Sequence, residues 1–300
     1  MSLADSPPDL PYPKLPFWDT VSLSYSTYFS QFIDVLRASW LWLLVVAAFT
    51  GFASWQQWSW LARAMENLNS GLPPQMPRPT QMVVLLNLAN ILLLFAGVSI
   101  AVAWHRLMIL NEQPGLSGSN VATGNLWRYI VMAIALFLVM FVPTAAIMLP
   151  AFYFLAPARA TLAPIPPEFF LLLLLGFAAY AVGTAVAFRL TLLLPARAIG
   201  NSGLTFKQAW NRTRGNVWRL FWGIVVTTMP ALLIAELVFV LGARPYFPGM
   251  DVGEDFATRM TAMSTLFVVY YLLILPIGIG FLSHAYRHFF VAPLELPSRS

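Results

Sequence analysis

Six stretches of about twenty residues, each nearly free of charge, limit what this chain can fold into more than any other feature of it. They lie at about 40–61, 82–104, 129–150, 168–188, 220–242 and 263–283. A backbone in lipid has no water to satisfy its amides and carbonyls. Runs this long therefore predict helices and exclude an open sheet. Composition agrees: 59% of the 300 residues are hydrophobic and 10% are charged, where a soluble domain carries roughly 25% charged residues. The predicted fold class is an all-α integral membrane protein with six transmembrane helices.

Basic residues give the orientation. Of the 17 Lys and Arg, five (Arg63, Arg78, Arg159, Arg244 and Arg259) fall in the loops opposite the N-terminus, and the other twelve share its side. The positive-inside rule then predicts both termini in the cytoplasm of a bacterial inner membrane. The acidic loop MDVGEDF (250–256) lies on the outer side, as does the aromatic belt of Trp55, Trp58 and Trp60. The opening MSLADSPPDLPYPKLP has no apolar core and is rich in proline, so residues 1–19 are expected to form a disordered cytoplasmic tail, with 291–300 a second. Cysteine is absent, which excludes disulfides and a thiolate nucleophile.

A repeat runs through the spans. Runs three and five begin GNLWRY (124–129) and GNVWRL (215–220). Runs two, four and six end AVAWHR (101–106), AVAFR (185–189) and SHAYRH (283–288). The pattern predicts three tandem helix pairs, at about 20–106, 107–189 and 190–288, within one domain of residues 20–290. In the entry motif, glycine permits a sharp corner, asparagine caps the new helix, tryptophan sits at headgroup depth and arginine extends toward phosphates. The exit motif is expected to be the matching anchor.

Short amphipathic helices on the cytoplasmic side are expected to feed the spans. In VSLSYSTYFSQFIDVLRASW (21–40), Tyr25, Phe29, Phe32 and Leu36 share a face at helical spacing. In LTFKQAWNRTRGNVW (204–218), Thr205 and Gln208 stand in capping-box positions. Pro143, Pro230 and Pro276 are expected to kink spans three, five and six.

The stretch RLTLLLPARAIGNSGLTFKQAWNRTRGNVWRLFWG (189–223) resembles the matching loop in the membrane domain attached to some bacterial glycerophosphodiester phosphodiesterases, and in stand-alone inner-membrane relatives of that domain. Pro195, Leu204-Thr205-Phe206, Ala209-Trp210 and Thr213-Arg214-Gly215-Asn216, then Trp218-Arg219, carry the likeness. It implies a six-helix inner-membrane protein of poorly defined role. The activity of such fusions resides in a separate barrel for which this chain has no room, and His105-Arg106 is followed by leucine instead of the family's glycine. No enzyme activity is carried over.

Two sets of residues are candidates for function. Glu236 lies inside run five, and a carboxylate within a membrane helix is expected to face the bundle interior. Asn87 and Asn90, at i and i+3 of run two, fall at a similar depth, which predicts a buried polar cluster of the three. Arg106, Arg128, Arg189, Arg219 and Arg287 converge on the cytoplasmic side as candidates for anionic lipid headgroups. His105, His284 and His288 read as packing residues, with no acid or thiolate to complete a metal site, and no cofactor is predicted. The basic charge is interleaved with membrane anchors, which argues against nucleic acid. The expected function is that of a non-catalytic accessory or organising component that binds membrane lipids or a membrane-protein partner. The alternative is a small transporter or lipid-translocating protein that uses Glu236.

Overall fold

The computed structural model describes residues 14–71, 79–114, 124–161, 167–243 and 255–291. The elements are α1 (Phe17–Ser30), α2 (Phe32–Asn69), α3 (Pro79–Leu110), α4 (Gly124–Thr161), α5 (Pro167–Leu190), α6 (Leu193–Ala198), α7 (Phe206–Arg212), α8 (Val217–Ala243) and α9 (Phe256–Tyr286), with a π-helical turn at Arg287–Val291. No strand occurs among the described residues. Six helices (α2, α3, α4, α5, α8 and α9) are long and apolar enough to cross a membrane, and each contains one of the predicted runs. At 38 residues each, α2 and α4 reach roughly 57 Å, well beyond a hydrocarbon core of about 30 Å.

The last span is the hub. Half of its most apolar stretch is buried, against 6% in α8, and it packs on α1, α2, α3 and α8. Every residue from Pro276 to Tyr286 is buried, so this half of α9 is enclosed on all sides. Small residues make that possible. Gly278 receives the Thr228 methyl, and the fully buried Phe281 ring lies where a Cβ on Gly223 would stand. The α4–α5 hairpin is built differently. Its helices pack closely on each other, and they join the remainder through α3, α6, α7 and α8 near the end that carries Leu126 and Leu190. Beyond Leu136 no described α4 residue is buried. Gly176 and Gly183, seven residues apart, face Met148 and the Met140 backbone, which lets the two helices approach.

At that same end, called here the basic end, α1 lies against α8, α9 and the last turn of α3. Two of its tyrosines donate to carbonyls near the prolines inside α8 and α9. Pro230 has no N–H for the Val226 carbonyl one turn back. The Tyr25 hydroxyl donates to that carbonyl at 2.9 Å and lies 3.3 Å from the next, Thr227. Beside Pro276, the Tyr28 hydroxyl donates to Leu273 O at 3.1 Å. Burial pushes both phenols above their ordinary pKa, and nearby Tyr270 adds to the rise at Tyr28.

Two expectations about this region are corrected. Helix α1 begins at Phe17, inside the expected 1–19 tail, and Leu15 before it is fully buried. Its N–H and carbonyl are held by Asn216 and Arg219, which anchors the segment. Residues 1–13 and 292–300 of the two tails lie outside the described residues, as do 250–254 of the acidic loop. The stripe of Tyr25, Phe29, Phe32 and Leu36 is divided, because the chain turns at Gln31 between α1 and α2. Tyr25 docks on α8, while Phe29, Phe32 and Leu36 are exposed. The Tyr25 and Tyr28 hydroxyls reach carbonyls of α8 and α9, whereas α2 runs along α9.

Candidate functional site

The two entry motifs share a pattern of burial. Leu126 is fully buried and Val217 half-buried, and the tryptophans that follow, Trp127 and Trp218, are 57% and 72% exposed. Gly215 takes φ +77°, the left-handed corner that glycine permits, whereas Gly124 already belongs to α4. The asparagines do not cap as expected. Asn216 Oδ1 accepts from Leu15 N at 2.9 Å, and its amide donates to Arg214 O. Asn125 rests against Gly200, itself at φ +82°. Each asparagine meets a segment distant in sequence. The capping box of α7 is present as expected, with Gln208 N donating to Thr205 Oγ1 at 3.2 Å and Thr205 N to Gln208 Oε1 at 2.9 Å.

The exit motifs differ more from expectation. Trp104 and Tyr286 are fully buried instead of lying at a membrane surface, because α1 and α6 cover the hub at this depth. The arginines that follow close helix ends. Arg106 donates to Ala198 O at the end of α6 and grips Glu112 through Nε and Nη2 at 2.8 and 2.9 Å. Arg189 donates to Trp210 O, with its guanidinium 3.5 Å from the Trp210 ring centroid. Arg287 lies 3.5 Å from Met108 O in the last turn of α3. Arg219 donates to Leu15 O at 2.6 Å. Four of the five candidate arginines thus meet carbonyls left open at helix and segment ends. Arg128 is exposed, with no hydrogen bond or ion pair among the described residues.

The expected cluster of Glu236, Asn87 and Asn90 is not formed as a buried site. All three are exposed. Glu236 shares the outer surface of α8 with Leu233 and Leu237. The Asn87 amide donates back to Val83 O of its own helix at 2.8 Å. Asn90 lines a crevice of about 410 Å³ with Tyr271 and Leu275. The physical reason is the hub: α3 and α8 each pack on α9 and not along one another, so their polar residues have no shared interior.

Several buried polar groups lie at the basic end instead. His105 is fully buried, and its Nδ1 lies 2.8 Å from Ser283 Oγ. Ser283 already donates its hydroxyl proton to Ile279 O at 3.0 Å, so it accepts here and the His105 proton is assigned to Nδ1. This bond ties α3 to α9. His284, 3% exposed, has Nε2 3.4 Å from Thr27 Oγ1 on α1. Among the described residues no three of His, Asp and Glu come together as a metal site would require.

Beside this packed layer a groove of about 780 Å³ opens between α1 and α8. Trp18, Trp218 and Trp222 line it together with Phe17, Asp19 and Arg219. Trp18 is 70% exposed. Sequence reasoning singled out Trp218 and Arg219 but missed Trp18, Asp19 and Trp222. The Trp-Arg motif of α8 marks half of the groove, whereas its other half comes from a helix some two hundred positions away. No family model, curated protein or solved structure matches the chain.

Proposed function

We propose that this chain is a non-catalytic inner-membrane component of a bacterium that acts through its lipid contacts, with the α1–α8 groove receiving a phospholipid headgroup. The observation that carries this is the composition of the groove: three indoles, one guanidinium and one carboxylate on two helices. Indoles favour the headgroup level, with the ring toward the chains and the N–H toward water. Arg219 can pair with a phosphate while Nη1 stays on Leu15 O. Asp19 accepts from a headgroup hydroxyl or amine. Exposed Arg128, Lys207 and Arg214 give the same end an attraction for anionic lipid. In this reading the basic end is cytoplasmic, the helices form three tandem pairs, and α1 and α7 lie near the inner interface. The resemblance of residues 189–223 to the membrane domain attached to some glycerophosphodiester phosphodiesterases implies an inner-membrane protein of poorly defined role, which is compatible with an accessory part. A transporter would rest on Glu236, whose outward position on α8 lends that reading no support.

Mild-detergent purification with identification of co-purifying lipids and proteins tests the proposal. Wild type should retain phospholipid, and Trp218→Ala combined with Arg219→Gln should retain several-fold less while keeping its elution volume. Recovery of a lipid-free protein that binds a single solute would overturn it.

A further inference from the structure

The walls of the α1–α8 groove carry both signs of charge without letting them meet. Asp19 comes from the first turn of α1 and Arg219 from the start of α8. They are the two formal charges among the described residues that line the groove, and they cancel. The ion pairs among the described residues are Arg37–Asp34, Arg106–Glu112 and Arg259–Asp255, so Asp19 and Arg219 border one space unpaired. Arg219 keeps Nη1 on Leu15 O, which leaves its other nitrogens free to donate. The Asp19 carboxylate makes no hydrogen bond among the described residues. Both residues are half-buried and reach the groove.

The uncharged walls add a third feature. Trp218, Trp222 and Val226 follow at four-residue spacing along one face of α8, and Trp18 lines the groove from α1. Neighbouring rings brace the indoles edge-on. Phe17 lies 4.8 Å from Trp18 between centroids, and Phe221 lies 5.9 and 5.1 Å from Trp218 and Trp222. Much of each indole stays exposed all the same, and an open indole attracts a cation.

We propose that the groove selects a zwitterionic headgroup, a phosphate diester whose alcohol carries an ammonium group. This rests on the groove receiving a phospholipid, as proposed above, and names the class of headgroup. The phosphate meets Arg219, and the ammonium sits beside Asp19 among the indoles. A headgroup that bears only a negative charge leaves Asp19 uncompensated next to it, whereas a zwitterion leaves the occupied groove neutral. Anionic lipid drawn to Arg128, Lys207 and Arg214 is held by exposed charge alone, an attraction that salt screens. The ammonium can be primary, donating to Asp19, or quaternary, held mainly by the indoles.

The test uses the full-length chain, delipidated in detergent. It is offered equal amounts of phosphatidylethanolamine, phosphatidylcholine and phosphatidylglycerol with the same acyl chains, at high salt. Bound lipid is extracted and quantified after the protein is repurified. Wild type should retain at least one of the two amine lipids about tenfold over phosphatidylglycerol, the scale of one charge-assisted hydrogen bond. Preference for phosphatidylethanolamine assigns the ammonium to Asp19, and preference for phosphatidylcholine assigns it to the indoles. Asp19→Asn should lose most of that preference and still bind lipid through Arg219. Trp18→Ala, which removes an exposed ring, should also reduce it, and decides in the same way if the aspartate variant does not fold. Equal retention of the three lipids, or a preference that survives Asp19→Asn, would overturn this inference and leave the groove a general headgroup site. Retention of none of the three would overturn both readings.

Discussion

At the scale of single residues, this protein is held by side chains that satisfy backbone groups. Pro230 leaves Val226 O without its helical donor, and Tyr25 supplies one from another helix. Removing that hydroxyl leaves a partly buried carbonyl unmet, at a cost of about 1–3 kcal/mol. Tyr25→Phe should therefore lower unfolding stability by that amount. In a Pro230→Ala background the helix recovers its own N–H, so the same substitution should cost clearly less. Equal losses in both backgrounds would show that Tyr25 matters only for packing. The prolines were plain in the sequence, since Pro230 and Pro276 sit inside apolar runs. The tyrosines that bond beside them were not, because nothing local to Tyr25 or Tyr28 points to partners on α8 and α9. Asn216 repeats the lesson: its motif predicted a cap, and its partner is Leu15 N, 201 positions away.

At the scale of elements, the six spans could be placed from periodicity and length alone, because a membrane helix must be long, apolar and internally bonded. How they pack could not. Two helices with equally apolar sequences take opposite roles: α9 is enclosed and α8 is nearly bare, since small residues rather than hydropathy decide which helix can be approached. The α4–α5 hairpin depends on the same device. A Cβ on Gly183 would stand 3.0 Å from Met140 Cα and 3.1 Å from Val139 O, both backbone atoms that cannot swing aside. Gly183→Val should push the helices apart and destabilise the hairpin by about 1–3 kcal/mol, the usual range for overpacking. Distances between spin labels on α4 and α5 would report the separation, and unchanged distances with full stability would contradict this account. The arginines taught a similar lesson about elements. Their positions at the ends of runs were plain in sequence, yet Arg106, Arg189 and Arg287 meet carbonyls supplied by other helices. Positive charge at a helix end serves the helix terminus as well as the membrane surface.

At the scale of the whole molecule, the basic end gathers several fully buried polar side chains and the openings beside α1. The fully buried Thr20, His105, Thr213 and Ser283 lie there, where α1 crosses with the groove on one flank and a smaller cavity on the other. Toward the other end, α4, α5 and α8 present broad apolar faces of Phe137, Phe177 and Leu233. Glu236 led sequence reasoning elsewhere, because an intramembrane carboxylate is an uncommon feature whose surroundings a single sequence does not show. Everything proposed about lipid contact depends on the basic end facing the cytoplasm. The chain contains no cysteine, so single introduced thiols report sidedness without background. Ser70 follows α2 at the far end, and Ser202 lies between α6 and α7 at the basic end; both are exposed. In intact spheroplasts a membrane-impermeant maleimide should label Ser70→Cys, and should reach Ser202→Cys only after the membrane is permeabilised. Labelling of Ser202→Cys in intact spheroplasts, with Ser70→Cys protected, would contradict the account.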